Sequence, residues 1–187
     1  MEKLKMIDIS LKARLGKDKE KIVLALEKKG AKIKKGKEEV DRVFFKNLLD
    51  GIDTSTIFNI KKEEDKTLLC LKKNDGENGK LIKLESLVAD EEVIAEMITS
   101  MGYEEKFEIK KKRTKYLLDG MIVNIDYIED LDYFIEINKT INDEKEESIV
   151  KSNMENLLNE IGIGKDEYIL DSYEYLKYKD ENNKCNN

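Results

Sequence analysis

Charged and polar residues alternate with apolar ones along short stretches of this chain, at a spacing that could hold a multiply charged anion together with a hard metal ion. In Met6 to Arg14, Asp8, Ser10, Lys12 and Arg14 alternate with Ile7, Ile9, Leu11 and Ala13, a period of two that gives a strand two unlike faces. The split recurs: Asn59 and Lys61 oppose Phe58 and Ile60; Cys70 and Lys72 oppose Leu69 and Leu71; Lys83 and Glu85 oppose Ile82 and Leu84. Lys111 and Arg113 share one face, Asn124 and Asp126 oppose Val123 and Ile125, and Glu136 and Asn138 oppose Ile135 and Ile137. If the apolar faces pack beneath helices, the opposite faces line one concave surface. That surface would gather Lys12, Arg14, Lys61, Lys72, Lys83, Lys111 and Arg113 against Asp8, Glu85, Asp126 and Glu136. Uncompensated cations held together repel and lose hydration, so such a lining gains most by binding a multiply anionic partner. Carboxylates without His or Cys beside them select Mg²⁺ or Mn²⁺, which normally enter with phosphates. The faces therefore point to a polyphosphate or nucleoside triphosphate in a tunnel. The plainer alternative is a solvated charged sheet face, produced by a composition rich in Lys and Glu.

Composition narrows the chemistry. The chain has 187 residues, enough for one domain or a tightly joined pair, with 41% charged and 40% hydrophobic residues. It contains no histidine, which argues against Cys/His zinc chemistry and a Ser-His-Asp triad. Catalysis would then rest on carboxylates, Lys, Arg, Tyr or a hard metal. A net charge of −6 argues against nucleic-acid binding as the main task. No apolar run approaches the roughly 20 residues of a membrane span, and no signal peptide opens the chain. Two cysteines, Cys70 and Cys185, make no disulfide framework, and a reducing cytoplasm is the expected compartment.

These faces need elements to carry them. Asp18 opens a helix to about Lys29, ended by Gly30; a strand follows from Ala31 to Lys46, and Asn47 to Ser55 reads as a loop. Strands are expected at Thr56 to Lys62, Thr67 to Lys73 and Lys80 to Val88, the last two joined by a hairpin loop at Asn74 to Gly79. Asp90 caps a second helix ended by Gly102. Phe107 to Leu118 and Met121 to Ile128 meet across Asp119-Gly120, a strong hairpin signal, and Asp132 to Lys139 follows. Asn142 or Asp143 opens a third helix ended by Gly162, and Ser172 to Lys179 reads as a short one. The sum is eight largely antiparallel strands in an α+β chain. One domain spans 1–179, and 180–187 form a disordered polar tail on composition. The apolar outer strand faces could support a homodimer, though burial under the helices explains them equally well.

The ordered series resembles the CYTH proteins (triphosphate tunnel metalloenzymes), and within them the class IV adenylate cyclases. The family's opening ExExK, often continued as K-A-R, corresponds to Asp8-Ile9-Ser10-Leu11-Lys12-Ala13-Arg14. Its D-x-x-[YF]-[FY] strand corresponds to Asp41 to Phe45, L-R-I-R to Phe58 to Lys61, L-T-Y-K to Leu69 to Lys72, and R-x-E-x-E to Lys83 to Leu87. The K-x-R and Y pattern falls on Lys111, Arg113 and Tyr116; Asp126, an acidic turn and Phe134 to Asn138 follow, and the closing S-Y-x-x-L is Ser172 to Leu176. The resemblance implies an eight-stranded antiparallel β tunnel with flanking helices. Its basic residues (Lys12, Arg14, Lys61, Lys72, Lys83, Lys111, Arg113) hold a triphosphate, with Lys12 and Arg113 counted as catalytic. Its acids (Asp8, Glu85, Asp126, Glu136) hold Mg²⁺ or Mn²⁺. The implied activity is cyclisation of ATP to cyclic AMP and pyrophosphate. The alternatives are hydrolysis of thiamine triphosphate or inorganic triphosphate, and a catalytically weakened triphosphate-binding module. Departures fall on the acids: Ser10, Leu87 and Asn138 replace family carboxylates, while Asn59 and Cys70 stand where the family has Arg and Thr.

Overall fold

The computed structural model describes residues 7–34, 36–49, 51–74 and 81–185. In chain order the elements are β1 (Ile7–Arg14), α1 (Lys19–Lys28), β2 (Lys32–Ile33), β3 (Lys37–Leu48), β4 (Gly51–Lys62), β5 (Thr67–Asn74) and β6 (Leu81–Val88). They continue with α2 (Glu91–Ser100), β7 (Tyr103–Leu118), β8 (Met121–Ile128), β9 (Asp132–Ile141), α3 (Glu147–Glu160) and α4 (Tyr173–Cys185). Chain contacts group them into two compact units, Met1–Gly36 with Lys112–Asp171, and Lys37–Lys111 with Ser172–Asn187. The hydrogen-bonded path runs β1-β9-β8-β7 in the first and β7-β3-β4-β5-β6 in the second, eight strands in all, with β2 paired to β7 off the path. The protein is α+β, and its registered strand pairs are antiparallel.

In the first unit β1 pairs with β9, from Ile7↔Ile141 to Arg14↔Phe134. β9 also pairs with β8, and Asp119 and Gly120 turn the chain from β7 into β8 with φ of 49° and 70°. Two successive positive φ values match the right-handed twist of the flanking strands, and Asp-Gly is a pair that adopts them readily. Ile7, Ile9 and Ala13 of β1, Val123 and Ile125 of β8, and Ile135 and Ile137 of β9 are buried with Ile22 and Leu26 of α1. Val150, Met154, Leu157 and Leu158 of α3 complete the same core. The expected division of each strand into an apolar and a charged face therefore holds here, and helices cover the apolar one.

In the second unit α2 packs Ala95 and Ile98 on Phe44 and Ile60, with Phe58, Leu69 and Tyr103 at the margin. The Asp90 side chain caps α2, accepting from the amides of Glu92 (3.0 Å) and Val93 (3.1 Å). α4 meets the opposite side of the same strands, where Asn59 of β4 and Lys72 of β5 bond Glu174.

Three local expectations change. Asn47 to Ser55 is not a loop: β3 runs to Leu48 and β4 starts at Gly51, paired at Lys46↔Asp53, Asn47↔Ile52 and Leu48↔Gly51. Ladder hydrogen bonds here outweigh the turn preference of Asn, Asp and Thr. The stretch from Ala31 to Lys46 is broken into β2 and β3. The segment from Asp180, read from composition as a tail, is helical through Cys185. Ion pairs one turn apart support it, Lys184 to Asp180 at 2.7 Å and Lys177 to Glu181 at 3.7 Å. The hairpin loop read at Asn74 to Gly79 lies outside the described residues beyond Asn74. No helix among the described residues is long and apolar enough to cross a membrane.

Candidate functional site

The polar strand face of the first unit is organised around Arg113. Its Nε donates to Asp126 Oδ1 at 2.7 Å, and Nη2 donates to Asp126 Oδ2 at 2.6 Å and to Glu136 Oε2 at 2.7 Å. The fork of the guanidinium matches a carboxylate bidentately, giving strong and directional hydrogen bonds. Asp126 is fully buried, so these bonds replace the hydration of its charge. Alternation explains the convergence: Asp126 sits two residues from Asn124, whose register partner is Glu136, and Glu136 in turn faces Lys12 across β1. Ser10 Oγ also points at Glu136, at 3.4 Å.

Around this cluster the remaining first-unit residues do different things. Lys12 Nζ donates to the backbone oxygen of Asp171 at 3.0 Å, where the chain after α3 runs along β1 through Ile169 N to Lys12 O at 2.9 Å. Arg14 lies over the Phe134 ring, 5.1 Å from its centre, and reaches Leu131 O at 3.4 Å. Asp8 accepts from Thr140 Oγ1 at 2.6 Å. It stands four residues from Lys12 along β1, about 13 Å at the usual strand rise, so the register places it away from the level of Glu136. Asn124 Oδ1 is buried with no hydrogen-bond partner among the described residues.

The second unit carries its cations in pairs. Lys61 and Lys83 converge on Glu85 Oε1 at 3.0 and 2.9 Å, and Cys70 Sγ donates to the same oxygen at 3.2 Å. Burial works against the Glu85 charge, but the bonds from Lys83, Cys70 and Lys61 outweigh it and hold the carboxyl at about 2. Burial and the bond to Glu85 push the Cys70 thiol up to about 12. Lys111 is buried against Glu39 at 2.5 Å and lies 3.9 Å from Asp41. Lys37 bonds Glu39 as well and Glu63 at 2.8 Å. Burial raises the pKa of Asp41 despite the opposing pull of Lys111 and Lys72. Lys72 pairs with Glu174 of α4, whose carboxyl is held low by Lys72 against the cost of burial.

The expected residues thus separate into Lys12, Arg113, Asp126 and Glu136 around one site in the first unit, and pairs within the second. The expectation of uncompensated cations is corrected: Lys61, Lys72, Lys83, Lys111 and Arg113 each bond a carboxylate. Glu39, Asp41, Glu63 and Glu174 are not among the candidate site residues, although Asp41 opens one of the motifs that carry the resemblance. Glu39 and Asp41 lie on a β3 face that continues as Val43 and Phe45, a mixed pattern in which acids read as exposed and are instead buried. Nothing in the spacing of Glu174 tells it apart from its acidic neighbours.

All donors near Arg113 are oxygens, the set that Mg²⁺ and Mn²⁺ prefer, and Mg²⁺ commonly uses one or two carboxylates with phosphates completing its shell. Asp126 and Glu136 fit that description in number and kind. No group of three or more His, Cys, Asp or Glu placed to hold a metal occurs among the described residues.

A model of the CYTH domain family matches residues 6–173. A "putative adenylate cyclase" of Methanocaldococcus jannaschii is 29% identical over 175 residues, spanning 92% of this chain and 99% of the relative. Among solved structures, a "putative adenylate cyclase" from Vibrio parahaemolyticus superposes with a TM-score of 0.73 at 14% identity, covering 92% of this chain and 98% of the other. A Hippeastrum "putative adenylyl cyclase", whose description gives it a dominant triphosphatase activity, gives a TM-score of 0.55 at 14% identity over 90% and 91% of the two chains. At such identities the structural likenesses establish the fold alone, whereas the family match spans most of the sequence. This chain belongs to the CYTH domain family, whose triphosphate tunnel metalloenzymes bind triphosphate substrates and depend on metal ions as a class.

Proposed function

We propose that this protein is a metal-dependent adenylate cyclase that converts ATP to cyclic AMP and pyrophosphate. The observation that carries the reading is Arg113 clamped between two carboxylates of the polar strand face, with Lys12 opposite Glu136 in register. Lys12, Arg14 and Arg113 of the first unit and Lys61, Lys72, Lys83 and Lys111 of the second are the phosphate-binding cations. Asp126 and Glu136 are the residues that would hold Mg²⁺ or Mn²⁺, which supplies Lewis-acid charge neutralisation and lowers the pKa of the attacking hydroxyl. Glu85, whose Oε1 accepts from Lys61, Lys83 and Cys70, and Asp8, which accepts from Thr140, are the other two proposed metal-binding carboxylates.

In the cyclase reaction the ribose 3′-hydroxyl gives its proton to solvent water and its oxygen bonds to the α-phosphorus as the bond to the bridging α–β oxygen breaks, the electron pair leaving with pyrophosphate. Lys12 and Arg113 serve as catalytic residues by stabilising charge on the transferring and departing phosphoryl oxygens. Arg113 is held ready for this by Asp126, which fixes the plane of its fork.

The runner-up is a triphosphatase, in which water attacks in place of the ribose hydroxyl. Ser10 and Asn138 remove carboxylates from the face that would activate either the 3′-hydroxyl or water, so they bear equally on both reactions and favour binding without turnover. The third reading is a triphosphate-binding module without turnover. Incubation with ATP, thiamine triphosphate and tripolyphosphate, each with Mg²⁺ and then Mn²⁺, separates the three. Cyclic AMP with pyrophosphate is the expected product from ATP. Inorganic phosphate alone would replace the cyclase by the hydrolase, and calorimetric binding without turnover would leave the module.

A further inference from the structure

Glu174 lies in α4, near the helix start, and is 1% exposed. Its Oε1 accepts from Asn59 Nδ2 at 2.6 Å and from Lys72 Nζ, which anchors α4 to the polar face of β4 and β5. Further along the helix Lys177 is buried and the Tyr178 ring lies 6.0 Å from Phe45. The other carboxylate oxygen, Oε2, is buried with no hydrogen-bond partner among the described residues. Burial works against the charge of Glu174, and Lys72 is what chiefly retains it there. This arrangement puts an anion on one of the cations assigned above to phosphate. A carboxylate offers that lysine the same kind of contact as a phosphoryl oxygen: a negative, hydrogen-bond-accepting oxygen.

We propose that Glu174 is a tethered competitor for phosphate at Lys72, and that α4 must release its first turn from β4 and β5 before a polyphosphate engages that lysine. The inference rests on the triphosphate reading above and adds a specificity-determining residue to it. A ligand bringing one negative charge to Lys72 gains little over the carboxylate already there. One bringing several charges also engages neighbouring cations and can displace it. The apparent affinity for such a ligand is reduced by the fraction of molecules in which Lys72 is released.

The test uses the full chain and tripolyphosphate as the probe. Calorimetry compares the wild-type protein with Glu174→Gln, which keeps the shape and the acceptor for Asn59 but removes the charge. Hydrogen exchange follows the α4 amides of the wild-type protein with and without saturating tripolyphosphate. The expected results are binding at least about tenfold tighter in the variant, since a release fraction of a tenth or less is restored, and faster α4 exchange on ligand addition. Equal or weaker binding by Glu174→Gln overturns this inference and leaves the triphosphate reading intact, as does α4 protection unchanged by bound ligand. Absence of binding by both proteins overturns the two together.

Discussion

Asp126 keeps a charge in a fully buried position, and Arg113 supplies two of its hydrogen bonds. Removing one partner of such a pair leaves the other charge desolvated, which costs far more than the net value of the intact pair. Arg113→Met is therefore expected to destabilise the protein by about 3 kcal/mol or more, measured as a shift of the urea midpoint. It should also abolish triphosphate turnover. A loss of activity at unchanged stability would mean that Asp126 is satisfied without the guanidinium, and the positioning argument would fail. The same contact shows how far residue types can be read directly: the pairing of Arg113 with acids on β8 and β9 is foreshadowed by alternation in all three strands. The partners of Lys72 and Lys111 are not, because Glu174 and Glu39 look like ordinary surface acids in a chain with 41 Asp and Glu.

At the scale of elements, the sequence signals that proved sound were those in which one side chain settles a local backbone conformation. Asp90 caps α2, and Asp119-Gly120 turns β7 into β8. Asp90→Ala should cost about 1 kcal/mol, visible as a lower urea midpoint with an unchanged slope, because the Glu92 and Val93 amides lose their acceptor. No change would indicate that water serves those amides equally well. The stretch from Asn47 to Ser55 went the other way. Its composition favours a loop, yet strand pairing from Lys46↔Asp53 to Leu48↔Gly51 extends the hairpin, since tertiary pairing overrides weak local preference. In α3, Leu158 is completely buried in the first unit's core. Leu158→Ala should cost about 2–5 kcal/mol, and a smaller loss would show that the core collapses around the vacancy.

Over the whole molecule, the ion pairs set a pH window for stability. Glu63, Glu85 and Glu174 have depressed folded pKa values, Glu85 at about 2 against an ordinary 4.5. Their stabilisation is fully present above the unfolded value and is lost as pH falls through the folded one. Asp41 has the opposite sign, because its raised folded pKa makes its ionised form a cost relieved on acidification. Lys37 and Lys61 have raised pKa values, so their contribution is fully present below the unfolded value of 10.5 and fades as pH rises through the folded one. Cys70 acts in the same direction, because its folded thiol is held up at about 12 while the unfolded thiol ionises near 9.0. The urea midpoint should therefore be flat between roughly pH 5 and 8 and decline on either side. A midpoint unchanged down to pH 3 would show that the three carboxylates are not held as described, and Glu85→Gln should shrink the acid limb.

What the sequence by itself determined is the two-faced character of β1, β8 and β9, the Asp90 cap of α2 and the ordered series that marks a CYTH domain. These are encoded within a few residues, by period-two alternation and by side chains acting on their own backbone. Tertiary structure alone decided that β1 lies against β9 and that Glu174 reaches Lys72 across 102 residues of chain. Register and helix docking choose such partners. Hydrophobic burial, which drives that docking, has no direction of its own and leaves no local mark saying which of many similar acids will meet a given lysine.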